Sequence, residues 1–176
     1  MKIEQTLIIF KPDAIERGLV GEILSRFEKA GLKIVATKML KPTKEHLEKH
    51  YEDIGKLKTR RGEKAFNITI ELLQESPLIA VVLEGVEAVV LVRKMVGATE
   101  PKTAAPGTIR GDYAHLSFAH ADDEDIQSYL PNLLHASGDE KDAKAEISHW
   151  FSKAEIFKYS VMHEKYTQTK RKQKAS

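Results

Sequence analysis

Four short segments hold residue types at spacings that can do chemistry. Lys11-Pro12-Asp13 directly follows a β-prone run, so a stiff proline fixes a cation at a strand end; alone, it reads more readily as a surface turn. Arg93 stands late in a helical run and Thr99 shortly after it. In Pro106-Gly107-Thr108-Ile109-Arg110-Gly111-Asp112, glycines let backbone approach a ligand, and the planar fork of Arg110 can hold phosphate. Brought together by a fold, Lys11, Arg93 and Arg110 would neutralise a polyphosphate.

The fourth segment is Asn132-Leu133-Leu134-His135-Ala136-Ser137. Ser137 and Glu140 fit an S-x-x-E capping box, opening a helix whose apolar positions include Ala143, Ile147 and Trp150. His135 then stands just ahead of a helix N-terminus, where free N–H groups and the dipole favour an anion. Imidazole is nucleophilic when neutral, and a pKa of about 6.5 leaves it mostly so at neutral pH. A lone histidine is more often structural or simply exposed, and that reading stands for His46, His50, His115, His120, His149 and His163. His46 and His50 are four residues apart but lack the HExxH pattern of a zinc site.

These residues need elements to position them, and strands alternate with helices along the chain, the pattern of an α/β or α+β fold. Strands are expected at Thr6–Phe10, Ile34–Leu40 and Ile79–Glu84, with Asp112–Phe118 a further candidate. Val20, Ile23, Leu24, Phe27 and Ala30 recur at helical spacing, and Gly31 is a natural stop. Further helices are expected at Thr43–Tyr51, over 64–75 and at Val86–Gly97. Residues 98–111 read as a long loop, a length that in a compact domain usually marks function or disorder.

Composition bounds the function classes. A chain of 176 residues, 41% hydrophobic and 31% charged, suits one globular domain with a short appendage. There is no cysteine, which removes disulfides, thiol nucleophiles and thiolate metal sites. The longest apolar run, Leu78–Leu83, is far too short for a membrane span, and the N-terminus lacks a signal-peptide pattern, so a cytoplasmic location is expected. The net charge of +2 conceals a basic tail over residues 165–176, read as a flexible end.

Taken together and in order, Lys11-Pro12-Asp13, Arg17–Ile23, His50-Tyr51, Glu84-Gly85, Arg93 with Gly97-Ala98-Thr99, Pro106–Asp112 and Asn132–Ser137 resemble the nucleoside diphosphate kinase family. The match runs from about Thr6 to Phe151, and its order makes it specific. The resemblance implies an α+β, ferredoxin-like βαββαβ sandwich, with a four-stranded antiparallel sheet covered by helices. It implies one kinase domain over residues 1–164 that moves the terminal phosphate of a nucleoside triphosphate, mainly ATP, to nucleoside diphosphates by a ping-pong route through phosphohistidine.

By that similarity His135 is the nucleophile, Glu146 orients its ring, and Ser137 supports the carboxylate as well as capping. Lys11, Arg93, Thr99 and Arg110 take phosphate positions, Lys11 and Asn132 ribose positions, and Tyr51 lies near the transferred group. Phe66 is assigned as the aromatic on which the base stacks. Mg²⁺ is expected to arrive on the nucleotide phosphates, with no metal ligands of the protein's own. Homo-oligomers are implied, hexamers ahead of tetramers, with neither membrane nor nucleic acid required.

Two inserts depart from the family pattern, a basic one near 55–64 and an acidic one near 119–130 that holds Asp122–Asp125. Both are expected to border the cleft or a subunit contact, and their charges to meet. The small apolar contact to the base falls near Leu116 or Ser117, and Asp139 follows a glycine where the family more often has an acid. The competing reading is a ferredoxin-like nucleic-acid-binding module. Six phenylalanines, five tyrosines and one tryptophan form no RNP-like pattern on the candidate strands.

Overall fold

The computed structural model describes residues 2–123 and 129–167. Strands β1 (Ile3–Phe10), β2 (Lys33–Leu40), β3 (Leu78–Val86) and β4 (Leu134–Ala136) form one sheet in the order β2-β3-β1-β4. All three pairings are antiparallel. β1 pairs along its whole length with β3, and its other edge receives β4, which sets His135 opposite Ile9.

The helices are α1 (Pro12–Glu16), α2 (Val20–Lys29), α3 (Lys44–Glu48), α4 (Leu57–Glu75), α5 (Ala88–Val96), α6 (Ile109–Tyr113), α7 (Phe118–Ala121), α8 (Glu140–Trp150) and α9 (Glu164–Thr167). β1, α2, β2, β3, α5 and β4 give the βαββαβ order of the ferredoxin-like α+β fold. No helix among the described residues is long and apolar enough to cross a membrane.

Strand alternation splits the core in two. Leu7, Ile9, Ala80 and Val82 face α3, α4 and α8 through Leu47, Phe66, Ile70, Leu73, Ile147 and Trp150. Ile8, Phe10, Val81 and Leu83 face the opposite layer, packed on Ile23 and Phe27 of α2, Val92 and Val96 of α5, and Ile109 of α6. Burial on both faces explains why Leu7–Phe10 of β1 and Leu78–Leu83 of β3 are unbroken apolar runs rather than alternating ones. A bulge in β2 between Ile34 and Ala36 turns Val35 and Ala36 into the same core.

Three local expectations are corrected. Asp112–Phe118 is not a strand. Thr108 caps α6 by accepting from the Gly111 N–H, and the Asp112 carboxylate accepts from the Gly107 N–H and Arg26, so local bonds hold the segment turned. The helix expected over 64–75 begins at Leu57 and breaks at Gly62, where φ is 86°. The cap of α8 is Asp139, whose carboxylate accepts from the Asp142 N–H, and not Ser137, which is buried. The basic tail beyond Thr167 and residues 124–128 of the acidic insert lie outside the described residues.

Candidate active site

The alternation of β4 sends Leu134 and Ala136 into the core beside α5, and His135 to the face covered by α8. There His135 Nε2 lies 2.9 Å from Glu146 Oε1. Glu146 is 2% exposed, and its Oε2 accepts from the Ser137 hydroxyl at 2.6 Å. Ser137 Oγ in turn accepts from the Leu7 N–H at 3.1 Å, just where β4 ends and β1 would lose its partner. The chain of bonds runs Leu7, Ser137, Glu146, His135. It places a proton on Nε2 and leaves Nδ1 as the ring nitrogen that Glu146 does not engage.

α8 fixes a second ring as well. One turn beyond Glu146, Trp150 donates its indole N–H to His50 Nδ1 at 3.1 Å. His50 therefore carries its proton on Nε2, and its ring packs edge-on against His135 at 4.6 Å between centroids. Burial, and then the neighbouring His135, push the His50 pKa well below its usual value, so this imidazole is neutral.

Donor atoms of His50, His135 and Glu146 lie within 4.8 Å of one another, which raises the question of a metal. The arrangement does not suit one. The Trp150 N–H consumes the Nδ1 lone pair of His50, its Nε2 is protonated, and Glu146 is committed to Ser137 and His135.

Lys11-Pro12-Asp13 acts on the backbone just before His135. Leu133 has φ 70°, the left-handed region that a leucine adopts only when held there. Two bonds hold it: its N–H donates to Asp13 Oδ2 at 2.9 Å, and its carbonyl accepts from the Lys11 N–H at 2.9 Å. The Lys11 ammonium donates to Asn132 Oδ1 at 2.7 Å, and the Asn132 amide donates to the Thr99 carbonyl at 2.9 Å. Burial pushes the Lys11 pKa down to about 7, against the attraction of Asp13 and with the repulsion of Arg110.

Arg110 is buried, and its guanidinium donates to the carbonyls of Asn132, Leu134, Gly97 and Ala98. Four of the five N–H groups of such a fork are thus spent on backbone. Expected as a phosphate fork, Arg110 is first a staple joining the loop after α5 to the segment before His135. Burial lowers its pKa to about 10, which leaves it charged at neutral pH. Arg93 is the freer cation. It is exposed, and among the described residues its guanidinium makes one long contact, 3.5 Å to the Ser137 carbonyl.

Lys11, Tyr51, Arg93, Thr99, Arg110, Asn132, His135 and Glu146 line one cavity of about 1060 Å³. Ser137 stands behind it, holding Glu146. The Tyr51 ring lies 6.4 Å from His135, and burial raises the pKa of its hydroxyl. Phe66 is not a cleft residue. It is 7% exposed, packs in the core, and does not line the cavity. The helix phase that buries Ile70 and Leu73 buries Phe66 with them.

Two aromatics not assigned from sequence line the cavity instead. Phe118 lies under the Arg61 guanidinium at 3.8 Å, and Arg61 also grips Asp122 through both carboxylate oxygens at 3.1 and 2.9 Å. The basic and acidic inserts do meet, across the cleft wall. Tyr129, three residues before Asn132, lies with its ring 4.9 Å from the Lys11 ammonium. Its only sequence signal was an aromatic at the end of an insert.

The family model described as nucleoside diphosphate kinase matches residues 4–156. The chain is similar to the nucleoside diphosphate kinase of Borreliella burgdorferi, with 45% identity over 90% of this chain and 93% of that one. It is similar to that of Pyrococcus furiosus too, with 47% identity over 90% and 89%. Among solved structures, a transition-state mimic of the Borrelia burgdorferi enzyme with bound vanadate and ADP superposes with a TM-score of 0.88 at 42% identity, covering 94% of this chain and 96% of that one. A Halobacterium salinarum enzyme in complex with CDP gives 0.79 at 31% identity, over 94% and 98%.

Proposed function

The chain belongs to the nucleoside diphosphate kinase family, enzymes that transfer phosphate between nucleotides, and from that premise we propose that this one passes the phosphoryl group through Nδ1 of His135. The observation that carries the proposal is the bond from His135 Nε2 to Glu146, which leaves Nδ1 as the nucleophile. The Nδ1 lone pair attacks the terminal phosphorus, the bond to the bridging oxygen breaks, and the diphosphate leaves with that electron pair. The proton on Nε2 stays in place, and Glu146 balances the charge that the ring gains. In the second half, an oxygen of an incoming nucleoside diphosphate attacks phosphorus and the N–P bond returns its electrons to Nδ1.

Phosphate oxygens are already anionic, so neither half needs a general base. The work left is positioning and charge. Arg93 supplies a fork for the phosphates, Lys11 and Asn132 face phosphate and ribose, and Thr99 and Tyr51 border the transferred group. Arg110 contributes its field while holding the loops. Neutral His50 keeps a further positive charge away from the phosphorylated ring. Mg²⁺ comes as part of the substrate, bridging its phosphates, in line with a donor set that does not suit a resident metal. We place the enzyme with its nucleotides in the cytoplasm, as a homo-oligomer with the hexamer preferred over the tetramer.

Incubation with γ-labelled ATP and Mg²⁺, without acceptor, should label His135 through an acid-labile, base-stable bond. A nucleoside diphosphate should discharge the label into triphosphate. His135→Ala should abolish both steps, and label or turnover retained in that variant would refute the assignment.

A further inference from the structure

The Lys11 ammonium is enclosed on all but one side. It has three N–H groups, and Asn132 Oδ1 takes one of them at 2.7 Å. Asp13 attracts it from α1, Arg110 repels it from α6, and His50, which lies in the same cavity, is neutral. Tyr51 and Arg93 border the same cavity. Its remaining neighbour is the face of Tyr129, 4.9 Å from Nζ to the ring centroid, well inside the reach of a cation–π contact. That ring is contributed by the end of the acidic insert.

The Tyr129 hydroxyl is buried and makes no hydrogen bond among the described residues. A buried, unpartnered hydroxyl is a cost, so the hydroxyl is not what anchors the residue. The aromatic face is what this position supplies. We propose that Tyr129 is a positioning residue for the nucleotide: its ring caps the Lys11 ammonium and keeps that cation aimed into the cleft where the substrate enters. The inference rests on the reading of the cleft as a nucleotide site, and it extends that site onto Tyr129. A ring face stabilises a cation that burial alone would discharge. Its loss therefore matters most where Lys11 titrates, and little at lower pH, where the ammonium is protonated in any case.

The test compares Tyr129→Phe, which keeps the face, with Tyr129→Leu, which keeps apolar bulk without it. Lys11 is titrated by NMR through its ε-methylene signals in the nucleotide-free protein, assigned with Lys11→Arg. The midpoint should lie near pH 7 in the parent protein and in Tyr129→Phe. In Tyr129→Leu it should fall by about 0.5–1 unit. At about pH 7.5 and above, Tyr129→Leu should raise the nucleotide KM by about three- to tenfold with kcat within about twofold, and the difference should shrink at about pH 6. If Tyr129→Leu folds poorly, Tyr129→Met carries the same expectation. An unmoved Lys11 midpoint in the leucine or methionine variant overturns the proposal, as does a Tyr129→Phe variant as impaired as they are. Because the titration uses free protein, it fails independently of the His135 labelling that tests the activity itself.

Discussion

Ser137→Ala isolates the least visible part of the proposed catalytic apparatus. The residue is fully buried, its hydroxyl donates to Glu146 at 2.6 Å, and its oxygen accepts from the Leu7 N–H at 3.1 Å. Alanine removes both bonds and adds no volume for water to fill. The Leu7 N–H, left without its partner, costs about 1–3 kcal/mol, and the buried carboxylate loses a charge-assisted bond of about 1.5–3 kcal/mol. The two share one atom and do not add fully, so we expect about 3 kcal/mol of destabilisation. For a chain of this length, that lowers Tm by about 6–12 °C, measurable by calorimetry. Well below Tm, Glu146 retains its bond to His135 but loses an anchor, so kcat should fall by about tenfold while KM holds. Ser137→Cys, with a weak S–H donor, should fall between the two. An alanine variant with Tm within about 2 °C of the parent and full kcat would refute the chain of bonds from Leu7 to His135.

Four further substitutions separate the arginines and test the inserts. Arg93→Ala should lower kcat/KM by about 10²–10³ with stability changed by less than about 0.5 kcal/mol, and lysine should restore activity only in part. Arg110→Ala should also cost about 3 kcal/mol of stability, because four carbonyls in two loops lose their donor; an unchanged Tm would mean that the staple contributes nothing. Arg61→Ala and Asp122→Ala should each cost less than about 1 kcal/mol, with a coupling in the double-mutant cycle that fades in about 1 M salt. No coupling at low salt would show that the inserts meet without interacting.

What the sequence revealed depended on how local the cause was. β1 was legible because a strand buried on both faces must be continuously apolar, as Leu7 to Phe10 are. Helix α2 was legible because Val20, Ile23 and Phe27 repeat at its period. Asp112–Phe118 misled because its apolar residues suggest a strand, whereas Thr108 and Asp112 spend their side chains on nearby backbone and turn the chain. The capping box misled in the same way. Ser137 has the right spacing to Glu140, but strand β4 places it under β1, where an unpaired N–H and a buried carboxylate compete for its hydroxyl. Phe66 and Tyr129 show the remaining limit. Whether an aromatic in or beside an insert faces core or cleft is set by helix phase and loop path, and neither is fixed until the elements pack.

His135 and Ser137 are set in place by β1 and the turn that follows it. Its Leu7 N–H orders Ser137, its Ile9 sets the register of His135, and the Lys11 and Asp13 that follow hold Leu133 left-handed, which aims β4 at α8. Moving any one of these shifts His135 against Glu146, so the segment tolerates little change. The opposite wall is under a looser constraint. Arg61, Asp122 and Tyr129 come from the two inserts, Phe118 directly precedes the second, and they make their contacts through side chains rather than strand register. Tyr129 therefore reaches Lys11 through its ring alone, while Lys11 itself stays tied to the sheet through its backbone bond to Leu133.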